Sequence, residues 1–317
     1  MSKESAKQIL SVKSSGDGQV CELNIEELSK ILLNESIRDH YISVISIAGA
    51  MRTGKSFMLS FFLRYLHANY VKKDITDWIS DQNAGLTGFD WRGGMDRVTN
   101  GIMMWSEVFT YTAEATGTKV AILLMDTQGV FDSESTPLEN TIIFAMSLLT
   151  SSHVIYNISK NIVETDLHNL QLFSEYGKMA IDGTSEAPFQ KLTFLIRDWG
   201  SAKDAPFGHA GGKVIIENKL KPRLNQKKEL KEVREHLFSC FEEVDCYLMM
   251  YPGGNVAEDQ DSDGKIIDIR PGFVELVKDF VPRILAPENL VLKKINGRYI
   301  KAQELVLCIA PFSETLN

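Results

Sequence analysis

Between residues 49 and 56 the chain reads Gly49-Ala50-Met51-Arg52-Thr53-Gly54-Lys55-Ser56, and the residue types in this run have a chemical use. The glycines let the main chain curl so that successive N–H groups converge. Lys55 adds a fixed ammonium, and Ser56 adds a hydroxyl able to ligate a hard cation. Such a nest at a helix start binds phosphate. The run lies directly after an apolar stretch, 41–48, and directly before a helical pattern from Phe57, which is the strand-loop-helix setting a phosphate loop needs and a chance glycine-rich turn does not. The cradle is therefore expected over Gly49, Met51, Arg52, Thr53, Gly54, Lys55, Ser56 and Phe57.

Other residues read as partners of that loop. VAILLMD ends at Asp126, a carboxylate at a strand's C-terminal end that could hold magnesium directly or through water. Thr127-Gln128-Gly129 follows, and Gly129, lacking a Cβ, can bring its N–H close to a γ-phosphate. The stretch 85–101 is rich in glycine and contains Trp91, Arg92, Arg97 and Thr99. Thr99 is the candidate to complete a magnesium shell when this loop closes, with a plain surface loop carrying a helix cap as the equal alternative. TFLIRD ends at Asp198, whose carboxylate could accept both N1–H and N2–H₂ of guanine. Adenine offers no such donor pair, so the site would reject it. The Asn-Lys-x-Asp element of small GTPases is absent, which leaves base reading open on these residues alone.

These groups need a scaffold that brings strand ends together. Near-continuous apolar runs at 41–48, 120–126, 154–159, 191–198 and 246–251 predict strands buried on both faces. Helical patterns alternate with them at 57–67, 138–149, 164–180, 226–241 and 272–285. The expectation is an α/β fold: a doubly wound, mostly parallel sheet with helices on both faces. Its organisation is expected to be a flexible N-terminal segment, 1–20, one domain over 21–285, and a C-terminal extension, 286–317.

The chain has 317 residues with a formal net charge of -8, which disfavours a nucleic-acid or anionic-membrane surface over the whole molecule. Its four cysteines, Cys21, Cys240, Cys246 and Cys308, match neither a disulfide framework nor paired CxxC zinc spacing. His236, Cys240 and Cys246 could be metal ligands, but buried thiols and a surface imidazole are the reading adopted. No apolar stretch reaches the ~18 residues of a membrane span, so the chain by itself is expected to be soluble and cytoplasmic.

The segments GAMRTGKSF, GFDWRGG, NGIMMWSEVF, LLMDTQGVFDSEST, LQLFSEYGKMA, FLIRDW and KINGR, spread from about Cys21 to Ile300, resemble the GTPase domain of the atlastins. That family lies in the dynamin-like superfamily, which also contains the guanylate-binding proteins. The resemblance implies a GTPase using GTP/GDP and Mg2+, with Arg197 and Asp198 reading guanine. It also implies Arg52 as an arginine finger from the chain itself, Arg92 at a head-to-head homodimer contact, and Thr99 as the magnesium-sensing threonine. Gln128 stands where guanylate-binding proteins carry a carboxylate, which suggests a water-orienting role, and Tyr251-Pro252-Gly253 falls near a base-capping loop. On the residues alone, Arg52 reads as a solvated loop charge.

There are departures: Thr53 stands where atlastins carry Lys, and Met95-Asp96 where Ser-Glu is common. The family continues into a helical bundle and membrane spans, whereas this sequence diverges after about Ala302, so the extension resembles the start of a linker and any membrane contact would come through other segments. The resemblance implies the cytosolic side of the endoplasmic reticulum and a part in membrane tethering and homotypic fusion. Three functions follow for testing: a GTPase whose cycle drives dimerisation, a nucleotide-gated soluble binding module without useful turnover, and a P-loop ATPase or kinase in which Asp198 plays no part.

Overall fold

The computed structural model describes residues 4–15, 18–76, 78–91, 99–129, 135–179, 187–223, 225–259 and 261–312. The chain opens with β1 (Ala6–Ser15), β2 (Gly18–Leu23) and α1 (Ile25–Leu32). Next come β3 (Tyr41–Gly49) and α2 (Lys55–Leu66), the latter running into a π-helical turn, His67–Lys72. β4 (Ile102–Trp105), β5 (Phe109–Thr112), β6 (Lys119–Thr127), α3 (Pro137–Thr150), β7 (His153–Ser159) and α4 (Glu164–Met179) follow. The remainder is β8 (Phe189–Arg197), α5 (Gly208–Ile215), α6 (Lys228–Cys240), β9 (Phe241–Leu248), α7 (Gly254–Ala257), α8 (Pro271–Leu285), β10 (Lys294–Ile295), β11 (Arg298–Tyr299) and α9 (Ala302–Ile309).

The main sheet has nine strands in the order β2-β1-β4-β6-β3-β7-β8-β9, with β5 also paired to β6. β6, β3, β7, β8 and β9 are parallel, and β1, β2, β4 and β5 add antiparallel pairings beside β6. Burial on both faces explains why β3 reads as an unbroken apolar run. Ile45 and Ile47 pack with Phe57, Phe61 and Phe273 of α2 and α8, whereas Val44 joins Ile143 and Met146 of α3, and Ala48 joins Phe144 and Leu148. Alternate residues thus face opposite helical layers. Ser46, buried on the α3 side, meets the Ser147 hydroxyl at 3.0 Å, so the one polar residue inward on that face is satisfied. The α3 start follows from its sequence: Thr136 and Glu139 form a reciprocal capping box with Pro137 at the first turn.

Three expectations change. The start of the chain is not a free segment where it is described: β1 pairs with β2 and β4, and Ile9 and Leu10 are buried. An antiparallel strand at the side of a sheet keeps half its residues polar, which disguised it as a tail. Residues after 286 are likewise integrated: Ile300, Ala302, Leu305, Val306 and Ile309 are buried in a cluster with Leu28, Ile31 and Leu32 of α1. β9 begins at Phe241 rather than 246, because Glu242 and Glu243 are exposed on an edge strand and break its apolar run. Among the described residues no helix is long and apolar enough to cross a membrane.

Candidate functional site

Parallel pairing sets the C-terminal ends of the central strands side by side, with Ile47 opposite Asp126, Gly49 opposite Asn157 and Ser159 opposite Arg197. The loop after β3 begins at Gly49, where φ is 146° and an added Cβ would lie 2.1 Å from the Asn157 carbonyl oxygen. Only glycine fits there. Arg52 (φ 62°) and Gly54 (φ 75°) are both left-handed, and two such residues so close curl the chain into a nest leading into α2.

The carbonyls of this loop are turned into the protein and held there. Asn157 Nδ2 donates to the Thr53 oxygen at 2.8 Å, and Arg197 donates from one terminal nitrogen to the Thr53 and Gly54 oxygens, both at 3.2 Å. Thr53 Oγ1 closes the turn on the Ala50 oxygen at 2.7 Å, and Lys55 Nζ spans the Gly49 and Ala50 oxygens at 3.2 and 2.9 Å. With the carbonyls committed inward, the N–H groups of the nest and the positive charge of Lys55, itself bonded to two of those carbonyls, make an arrangement for an anion.

Arg197, which the resemblance implies as a base reader, is engaged here with the loop carbonyls. It is 3% exposed, lies beneath the loop, and its guanidinium sits over the Phe273 ring at 5.4 Å. Burial lowers its pKa to about 10, with Asp198 opposing the shift, so it stays charged at neutral pH. Asp198 differs: it takes φ 57°, is half-buried, and accepts no hydrogen bond among the described residues. A carboxylate at a strand end with free acceptors is what a pair of base donors would engage. Beyond it, Tyr251 stacks under the Arg270 guanidinium at 5.4 Å and donates its hydroxyl to Glu258 at 2.7 Å.

The groups expected to hold a metal do converge. The Ser56 hydroxyl donates to Asp126 Oδ2 at 2.5 Å and the Thr99 hydroxyl to the same oxygen at 3.0 Å. Asp126 is 1% exposed, and its other oxygen, Oδ1, is buried without a partner. Burial raises the carboxyl above its usual range, against the pull of Lys55 and then the bonds from Ser56 and Thr99. Oxygen donors from three segments and an orphaned carboxylate oxygen fit a hard divalent cation such as magnesium, which Ser56, Thr99 and Asp126 would hold.

Gly129, expected to bring its N–H to a γ-phosphate, lies against the loop: an added Cβ would be 2.2 Å from Met51 Cα. Gln128, for which the resemblance suggests a water-orienting role, has both ends of its amide engaged. It is fully buried, its Oε1 accepts from the Gly101 N–H at 2.7 Å and its Nε2 donates to Ser135 at 3.1 Å, so it ties the Thr99-bearing loop to the segment after β6. The Phe57 side chain is core, edge-on to Trp91 at 4.9 Å, leaving only its backbone for a ligand. Arg52 is exposed and has no hydrogen-bond or ion-pair partner among the described residues. Arg92, the expected dimer contact, lies outside the described residues. His236 meets Ser174 at 2.9 Å and Cys240 at 3.3 Å, and Cys246 joins no metal-like group with them among the described residues. The sequence reading missed Asn157; its signal was one amide inside the apolar run VIYNIS.

Comparison with known proteins agrees with this geometry. The family described as guanylate-binding protein, N-terminal domain, matches residues 18–294. The chain is 46% identical over 284 residues to Atlastin of Drosophila melanogaster, covering 90% of this chain and 52% of that protein. It is 48% identical over 285 residues to Atlastin-2 of Homo sapiens (90% and 48%) and 44% identical over 299 residues to Atlastin-1 of Bos taurus (94% and 52%). The chain spans about half the length of the curated relatives it matches.

Proposed function

The chain belongs to the family of the guanylate-binding protein N-terminal domain, and from that premise we propose that it binds guanine nucleotides with magnesium, hydrolyses GTP, and pairs head to head across its nucleotide face. The observation that carries this reading is the convergence of Ser56 and Thr99 on one oxygen of Asp126 beneath a nest whose carbonyls Asn157 and Arg197 hold. Magnesium held by Ser56, Thr99 and Asp126 would neutralise charge on the phosphates. The nest N–H groups and the Lys55 ammonium bind and orient the polyphosphate so that water attacks the γ-phosphorus in line. Thr99 arrives on the loop that Gln128 anchors, so the hydroxyl and the turn at Gly129 are positioned as one unit. Asp198 selects guanine through its free acceptor oxygens.

Arg52 is the finger in this reading. It sits inside the nest in a left-handed conformation that costs about 1–2 kcal/mol, exposed and unpartnered among the described residues, as a guanidinium awaiting charge on the transferring oxygens would be. Arg52→Ala is expected to lower GTP turnover by ~10³-fold. Unchanged phosphate release would remove the assignment. Light scattering with GDP, a non-hydrolysable GTP analogue, and GDP with aluminium fluoride tests pairing. Dimers without phosphate release would favour a nucleotide-gated module instead. The atlastin likeness extends the proposal to tethering and homotypic fusion at the cytosolic side of the endoplasmic reticulum, which co-localisation of the native protein with that membrane would check.

A further inference from the structure

Away from the nucleotide loop, three residues from three separate segments bring an imidazole and two carboxylates together. His67, Glu107 and Glu4 each offer one ligand atom, all within 4.8 Å of one another. His67 opens the π-helical turn at the end of α2, Glu107 lies between β4 and β5, and Glu4 just precedes β1. The His67 ring stands edge-on to Phe109 at 5.1 Å and 86°. Glu4 is brought alongside by backbone pairing: Ser5 N donates to Ser106 Oγ at 3.0 Å, Ser106 N donates to the Ser5 oxygen at 3.0 Å, and Ala6 pairs with Trp105.

The local bonding is incomplete. His67 Nε2 is 3.1 Å from Glu107 Oε2, yet that oxygen is buried with no aligned hydrogen-bond donor, and the Glu107 side chain is only 18% exposed. Two carboxylates this close repel one another, and a cation among them would relieve that repulsion. A tetrahedral zinc with bonds of about 2.0–2.2 Å spaces its ligand atoms a little over 3 Å apart, which the His67–Glu107 pair already matches. Exposed Glu4 is the adjustable third arm, and water can complete the shell. The imidazole sets the preference, since nitrogen donors favour zinc-class ions over magnesium.

We propose that His67, Glu107 and Glu4 bind one divalent transition-metal ion of the zinc class, clipping the start of β1 and the β4–β5 turn to the end of the α2 helix. The test is calorimetric titration of zinc alone into the full chain saturated with magnesium and GDP, beside Glu4→Gln, His67→Ala and Asp126→Asn. The wild type should take up one zinc that survives Asp126→Asn, and both Glu4→Gln and His67→Ala should weaken it by about 10-fold or more. Glu4 is exposed and its replacement disturbs no packing, so that variant reports ligation rather than folding. No zinc uptake by the wild type, uptake abolished by Asp126→Asn, or unchanged affinity in Glu4→Gln or His67→Ala would overturn the proposal.

Discussion

Both edges of the parallel sheet bury a cation against main-chain carbonyls, and they do it with different residues. At the C-terminal edge, Arg197 grips the Thr53 and Gly54 oxygens. At the N-terminal edge, Lys293, fully buried, donates to Ser151 at 2.7 Å and Leu148 at 3.3 Å, the carbonyls at the end of α3, while its N–H meets the Ile42 oxygen of β3 at 2.8 Å. Burial takes the guanidinium only to about 10, but takes the amine to about 7, with Cys308 opposing. A fixed planar cation supports the loop that must present charge; a cation able to shed its proton serves where only closure of the fold is needed.

If the two edges divide function from stability in this way, substitutions should divide likewise. Lys55→Ala, at the functional edge, is expected to lower GTP turnover by ~10²–10³-fold in phosphate release and, because it removes the donor to the Gly49 and Ala50 oxygens, to lower thermal stability in calorimetry as well. Arg197→Ala should affect both. It takes one donor from each of two carbonyls that Asn157 and Met58 still bond, which costs about 2 kcal/mol of stability in urea unfolding, and it loosens the nest so that nucleotide affinity falls by ~10-fold. Arg197→Lys should recover little, because an ammonium cannot reproduce the flat stacking on Phe273.

The opposite edge gives the smallest effect and a pH signature. Below about pH 7 Lys293 is protonated in both folded and unfolded chains, and the cost of burying its charge is fully present. Between about 7 and the ordinary 10.5 the unfolded chain holds a proton the folded one has lost, so this group makes stability rise with pH. Lys293→Met, similar in volume, should flatten that rise by on the order of 1 kcal/mol between pH 7 and 9 in paired urea titrations, with nucleotide affinity unchanged. A variant with the wild-type slope, or one that lost nucleotide binding, would erase the division between the two edges.

The sequence exposed the parts of the site that are contiguous or that end a strand. Gly49 to Ser56 lie in one run, and Asp126 and Asp198 close apolar stretches, so their chemistry could be read before their partners were known. The parallel core was legible for a related reason: strands buried on both faces leave unbroken apolar runs. What stayed hidden depends on strand order. Arg197 reaches the nest only because β7 lies between β3 and β8, an adjacency that strand order sets and the linear sequence does not display. Gln128 looked free until Gly101 and Ser135 were placed around it. β1 carries lysines that read as a tail, and Lys293 reads as a surface residue until α3 is packed on it.

The central claim is that the nest and the Asp126 cluster hold a magnesium nucleotide whose base Asp198 selects. Equilibrium titration of fluorescent GTP and ATP analogues with magnesium, into wild type and Asp198→Asn, tests it most directly. The account predicts that the wild type prefers the guanine nucleotide by ~10²-fold or more and that Asp198→Asn loses most of that preference while still binding polyphosphate. Equal affinity for the two purines in the wild type, or a preference untouched by Asp198→Asn, would contradict it.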